Sequence, residues 1–347
     1  MSKDVTAGRP PRDQARVPAA EWFGGGRRIW YDPASARVLT GQETVSAPAA
    51  LQVFERVTGA AGGTDTVWLT MLPGFPEGSY GWAQVDRLLG EGLGPRLYVE
   101  PIGQGDSDKP RRYRYSTMER ADLIEAVWRH HGVHRTVVVT FDYTSLALLE
   151  LLRRRMERPA ADGSGLPEVV AAFMVNGGLF ADMHSHPLLG TPLLRSPLGA
   201  LAMAGWQRSE RAFETGLKRA RMYSRSYDPS PAELAEIWSA ITRRDGAAFN
   251  HNAAGFVAEH RRNARRWDLG AIAGSLNGAV ALYIGGSTED PYEHRQVSAT
   301  RERVPEAEIV TFPGGHLITS EHPDLFAAAI SDIAARHGVG ATADARR

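Results

Sequence analysis

Short runs of mostly apolar and β-branched residues alternate along this chain with longer segments whose apolar positions recur at helical spacing. Val67–Leu72, Val137–Thr140 and Val169–Val175 are such runs, and Arg96–Glu100 is a fourth strand that breaks at Pro101. Strands apolar on both sides belong in a parallel sheet covered on both faces. Between them Tyr80–Leu89, Ser116–His131 and Leu146–Arg155 read as helices, the second with Ser116 as N-cap and Glu119, Ala121, Leu123, Ile124 and Val127 at helical spacing. Shorter β-like runs, Arg28–Tyr31 and Leu51–Val57, precede this alternation. It stops near residue 180. From there to 268 the pattern is helical, over Pro197–Met203, Glu210–Met222, Pro231–Arg243 and Asn252–Arg265. Strand and helix then return as Ala279–Ile284, Glu293–Arg303, Glu308–Phe312 and Asp324–Arg336. The chain divides into a disordered leader 1–20, an α/β body 21–179, a helical insertion 180–268, the rest of the body 269–338 and a disordered tail 339–347.

Composition narrows the chemistry. The 347 residues hold 40 basic and 40 acidic side chains and no cysteine. Balanced charge excludes the basic excess of a nucleic-acid binder. The absence of cysteine excludes disulfides, thiolate metal sites and a cysteine nucleophile. Nothing approaches a membrane-spanning apolar run. Met1–Ala20 lacks the apolar centre of a signal peptide. The expectation is a soluble, cytoplasmic protein that acts on a small-molecule substrate, with no cofactor, metal, nucleic acid or membrane partner. Oligomeric state is not legible.

Four loops after strands carry unusual residues, and ligands of open α/β sheets bind at those carboxyl ends. Pro73-Gly74-Phe75-Pro76 turns so that the Phe75 N–H faces the crevice. Gly103-x-Gly105 lacks the third glycine and the helix of a dinucleotide fingerprint, and reads as a structural turn. Thr140-Phe141-Asp142-Tyr143-Thr144 joins a strand to a helix, the geometry of a nucleophile elbow, with Asp142 either at its exposed centre or merely capping the helix. Asp290 and Gly314-Gly315-His316 follow the last two strands. The order Asp142, Asp290, His316 matches nucleophile, acid and base.

These segments resemble the α/β-hydrolase superfamily, in its epoxide hydrolase and haloalkane dehalogenase branch, over roughly Ala50 to Arg336. Gly74-Phe75-Pro76 with Trp82 looks like the branch's oxyanion segment, and Gly103-Gln104-Gly105-Asp106-Ser107-Asp108-Lys109-Pro110 matches its Gly-x-Gly-x-Ser-Asp-x-Pro motif. Asp142-Tyr143 resembles its Asp nucleophile and following aromatic residue. Asn176-Gly177-Gly178-Leu179-Phe180, Arg266-Trp267 and Glu321-His322-Pro323 resemble the mesoderm-specific transcript-like group. The resemblance implies an α/β-hydrolase fold with the insertion as a helical cap. It also implies oxyanion donors in the N–H groups of Phe75 and Tyr143. The departures are Thr140 and Thr144 where the elbow usually has glycine, Phe141 where a His usually precedes the Asp, and Pro73 where a His usually precedes the oxyanion glycine.

The implied chemistry is epoxide opening. Asp142 forms an ester, and His316, oriented by Asp290, activates the water that cleaves it. Glu289 is the fallback acid. Tyr227, and less so Tyr223, is the cap candidate for proton donor. Trp82, His184, His186 and Trp206 are candidates for the pocket wall. His184-x-His186 lacks further ligands for a metal. The alternatives are another ester or ring-opening hydrolase, a haloalkane dehalogenase, and a non-catalytic binding protein of the same fold.

Overall fold

The computed structural model describes residues 2–4, 16–41, 43, 47–59, 65–110, 113–157, 166–183, 209–244, 259–260, 262–291 and 295–340. The candidates His184, His186 and Trp206 lie outside the described residues, as do the expected helix Pro197–Met203 and most of Asn252–Arg265.

The strands are β1 (Ser2–Asp4), β2 (Arg27–Asp32), β3 (Arg37–Leu39), β4 (Leu51–Thr58), β5 (Val67–Leu72), β6 (Arg96–Val99), β7 (Arg135–Phe141), β8 (Glu168–Val175), β9 (Ala281–Ser287) and β10 (Glu308–Phe312). Among the described residues they form one sheet in the order β1-β10-β9-β8-β7-β5-β6-β4-β2-β3. Pairing is parallel from β1 through to β6. It is antiparallel among β6, β4, β2 and β3.

The helices are α1 (Ala19–Gly24), α2 (Ala83–Leu89), α3 (Thr117–His130), α4 (Thr144–Glu157), α5 (Glu210–Arg219), α6 (Pro231–Ile241), α7 (Leu269–Leu276), α8 (Gln296–Arg303), α9 (Ile318–Glu321) and α10 (Pro323–Arg336). On one face of the sheet Trp68, Leu72 and Val138 pack with α3, α4, α7 and α8. On the other, Val67, Leu69, Met71, Val137, Val139 and Phe141 pack with α2 and α10. This two-sided burial explains the uninterrupted apolar runs, and each such side chain contributes on the order of 1.5–3 kcal/mol by leaving water. Serine starts three helices as the sequence rules require. Ser116, Ser209 and Ser230 accept the N–H of Met118, Ala212 and Glu233.

Several expected boundaries move. The chain packs onto the body from Arg16, well inside the expected leader: Val17, Ala19, Trp22 and Phe23 are buried, and Ser2–Asp4 pairs with β10. At the other end, inside the expected tail, Val339 bridges to Val67 and Gly340 N–H donates to Val67 O. Phe180 and Trp267 are buried in the main core, so the segment that leaves the body is narrower than 180–268. Its described elements, α5 and α6, are helices. The expected helix Pro231–Arg243 ends two residues early, because Arg243 and Arg244 turn away to pair with Asp106 and Asp108. The Gly103–Lys109 turn is structural, as expected. Buried Glu100 accepts from Ser79 N–H and Oγ and from Asp106 N–H, and Ser107 Oγ accepts the Phe54 N–H.

Candidate active site

The carboxyl ends of β5, β7, β8, β9 and β10 bring the chemistry together. Asp142 sits between β7 and α4 at φ 56°, in the left-handed region that Asp tolerates better than most side chains. Its N–H donates to Val175 O, and its own carbonyl accepts the Ser145 N–H that opens α4. This position projects the carboxylate off the sheet. Oδ2 accepts the Phe75 N–H at 3.0 Å. Oδ1 stands 3.6 Å from His316 Nε2. On the far side of the ring, His316 Nδ1 lies 2.9 Å from Asp290 Oδ2. Glu289, the fallback acid, is exposed and accepts the Arg225 N–H.

The flanking threonines fit because neither takes the positive φ and both hydroxyls are used. Thr140 Oγ1 pairs with Ser145 Oγ at 2.9 Å. Thr144 Oγ1 donates to Leu72 O at 3.1 Å and Phe141 O at 2.9 Å. The need for close approach has passed to the neighbouring loops. A Cβ on Gly177 would lie 2.4 Å from Ser145 Oγ and 3.0 Å from Asp142 O, and one on Gly74 would lie 2.4 Å from the Phe141 ring. Gly177→Ala is therefore expected to destabilise the protein by about 1–3 kcal/mol, the cost of overpacking, as read by thermal or denaturant unfolding.

Asn176 fixes the acid and base loops to each other. At φ 48° it donates from Nδ2 to Ser287 Oγ and His316 O, and its Oδ1 accepts the Ser287 N–H. The His loop is also bound to the segment before α6. Leu317 N–H donates to Met222 O. Buried Glu321 accepts from Gly315 N–H, Ser224 N–H and Ser224 Oγ.

Electrostatics follow from burial. Desolvation pulls the His316 pKa down, but Asp290 and Asp142 outweigh it and hold the imidazole well above its usual range. Glu77, absent from the sequence-based candidates, is buried directly after the Gly74-Phe75-Pro76 turn. Burial raises its carboxyl to about 7, Arg16 and His316 pull it down, and Glu233 and Asp142 push it up. Its Oε1 has no hydrogen-bond partner among the described residues.

Two candidates take other places. Trp82 is a core side chain: it is fully buried, packed against Phe141 and Phe326, rather than a pocket wall. Tyr227, preferred as proton donor, is already engaged, donating to Glu233 Oε2 and accepting from Arg16, each at 2.7 Å. Tyr223 stacks on it at 5.3 Å and 22° and keeps a buried hydroxyl without a hydrogen-bond partner among the described residues. Tyr223 and Asp290 also border a cleft of about 1020 Å³ between residues 217–229 and 288–291. Among the described residues, the one cluster whose ligand atoms could converge on a metal is Glu55, His130 and His131. It lies outside this site, and Glu55 already pairs with Arg27 and His131.

The chain also matches a known family. A model of the alpha/beta hydrolase family matches residues 71–329. The chain belongs to the alpha/beta hydrolase family. The Mycobacterium tuberculosis protein LipZ, named as a hydrolase, is 29% identical over 313 residues, 89% of this chain and 95% of that one. The human mesoderm-specific transcript homolog protein is 29% identical over 226 residues, 63% of each chain. Among solved structures, the haloalkane dehalogenase DatA from Agrobacterium tumefaciens C58 superposes with a TM-score of 0.64 at 17% identity, over 90% of this chain and 97% of that one. At that identity the likeness is one of fold. The resemblance to the hydrolase superfamily and to the mesoderm-specific transcript group thus stands. No helix among the described residues is long and apolar enough to cross a membrane.

Proposed function

We propose that this alpha/beta hydrolase opens an epoxide, or a similarly strained electrophile, through an ester on Asp142. The observation that carries the reading is a carboxylate, not a hydroxyl, at the elbow, with His316 Nε2 facing one of its oxygens and a main-chain N–H holding the other. A carboxylate attacks amides poorly but suits displacement at an sp³ carbon. Asp142 Oδ1 attacks the ring carbon, the carbon–oxygen bond of the ring breaks, and the alkoxide takes a proton from Tyr223. Water then attacks the ester carbonyl. His316 accepts its proton, and the bond between the ester carbonyl carbon and the alkyl oxygen breaks. The imidazolium protonates the departing diol oxygen, and the remaining proton of the attacking water returns to Tyr223, leaving Asp142 as a carboxylate. The oxyanion forms on the oxygen already bonded to Phe75 N–H, with Tyr143 N–H as the second donor.

Charge gives the sequence of steps its direction. In the resting site two carboxylates favour imidazolium. Ester formation neutralises Asp142, removes one of them, and lowers the His316 pKa when a base is needed. The helical segment after β8 serves as the cap. Haloalkane dehalogenation would use the same three residues but requires halide donors, and Trp82 is packed in the core while Tyr143 follows the nucleophile.

The test is intact mass of His316→Gln after brief mixing with a panel of epoxides and of bromoalkanes. A stable adduct on Asp142 with epoxides is expected. Adducts with bromoalkanes alone would favour dehalogenation, and no adduct with either would overturn the reading. The acid is separable as well. Asp290→Asn is expected to lower turnover by roughly 10²–10⁴-fold, and Glu289→Gln to leave it near wild type, in steady-state assays.

A further inference from the structure

Arg16, inside the segment expected to be a leader, carries a charge into the body. Its Nη2 donates to Tyr227 Oη at 2.7 Å and to Ser320 O at 2.9 Å. It forms an ion pair with Glu233 at 2.5 Å. The residues beside it are also tied down: Val17 O accepts the Tyr80 hydroxyl at 2.9 Å, and Ala19 N–H donates to Glu236 at 2.7 Å. One short stretch thus joins α6, the residues before it, the turn after β5, and α9 behind His316. Tyr227 passes the contact on by stacking against Tyr223. The Tyr223 backbone lies directly against the His316 loop, since a Cβ on Gly315 would stand 2.5 Å from Tyr223 C and Ser224 N.

We propose that Arg16 is a positioning residue of the active site: a cation brought in by the N-terminal segment that fixes the Tyr227–Tyr223 pair over the His316 loop and offsets the carboxyls buried beside it. Its catalytic meaning rests on the epoxide-opening reading, because Tyr223 is the proton donor there. An arginine suits this place, since its planar fork serves several acceptors at once and keeps its charge when buried.

A clasp with a purely structural role would leave the rate of ester formation in the folded protein unchanged. A positioning cation changes that rate, and its charge also sets the titration of the carboxyls beside it. The groups that face Glu77 are Arg16 from the N-terminal segment, Glu233 from α6, His316 from its loop, Asp142 from the elbow, Tyr80 from the turn after β5 and Tyr223 from the cap. Removing Arg16 takes away positive charge, makes the Glu77 carboxylate less favourable, and moves its midpoint up. Removing the Glu233 charge moves it down.

The experiment is ¹³C-carboxyl titration of the full chain labelled at glutamate, with the Glu77 signal assigned by its loss in Glu77→Gln. Wild type is expected to titrate near 7. Arg16→Met is expected to shift the midpoint up by about one pH unit or more, and Arg16→Lys to bring most of it back. Glu233→Gln, which leaves Arg16 in place, is expected to shift it down as a control of opposite sign, and Arg16→Gln, which keeps a donor but no charge, replaces Arg16→Met if that variant does not fold. An unmoved midpoint in the folded charge-neutral Arg16 variant overturns the proposal. This readout needs no substrate. If wild type forms no ester with any epoxide while Glu77 still follows Arg16, the epoxide reading falls and the role of Arg16 stands. Where the ester does form, Arg16→Met is expected to slow its formation by at least about tenfold, and an unchanged rate would remove Arg16 from the chemistry.

Discussion

Asp142→Asn is expected to abolish turnover, lowering kcat by at least roughly 10⁴-fold, the scale seen when a nucleophile is removed. The fold should survive. Asn adopts positive φ about as readily as Asp, and its carbonyl oxygen can still accept the Phe75 N–H seen at 3.0 Å. The amide has no charge and is a far weaker nucleophile. It also no longer helps hold His316 protonated, so the imidazole pKa should fall. Steady-state kinetics with circular dichroism check the first two points. Full turnover in this variant would move the chemistry to His316 acting directly on water.

His316→Gln should fail at a different step. Asp142 retains its charge and its Phe75 donor, so the first displacement proceeds. The ester then persists, because no base removes the proton from water. One equivalent of adduct is expected per protein molecule, followed by a steady state slowed by roughly 10²–10⁴-fold. Rapid quench with intact-mass detection separates the burst from the slow phase. A uniform slowing with no burst would place His316 in the first step instead. The substitution also takes the imidazole away from buried Asp290, so a stability loss of about 1–3 kcal/mol is expected alongside.

Much of this site was legible because its residues follow strands. A continuous apolar run marks a buried parallel strand, and its end marks the crevice, so Asp142, Asp290 and His316 could be placed on one face from their order alone. The elbow threonines could be flagged as departures. Their accommodation could not, because it depends on Gly74 and Gly177 from other loops. Glu77 is not among the residues the sequence singles out. Its burial depends on packing between segments far apart in sequence, such as those that let Arg16 meet Tyr227 across 211 positions of chain. The choice between Tyr227 and Tyr223 turned on which hydroxyl was already bonded, which no spacing encodes. Trp82 shows the converse error, since an aromatic residue near a catalytic loop is as useful to the core as to a pocket. The helix α7 was missed because Gly270 and Gly274 weaken its pattern.

The buried glutamates set a rule for anyone who would exchange the helical segment after β8 for another. Glu321 spends its oxygens on Ser224, before α6, and on Gly315 in the His316 loop. Glu150 in α4 does the same for Arg266 and Trp267, where the chain returns. A graft that kept both glutamates but lacked these donors would leave Glu321 with the Gly315 N–H and Glu150 with Arg154, each losing hydrogen bonds to a buried carboxylate at about 1–3 kcal/mol. The transplantable unit is therefore the helical segment together with its acceptors, and a design that trims at the edge of the helices cuts through its fasteners.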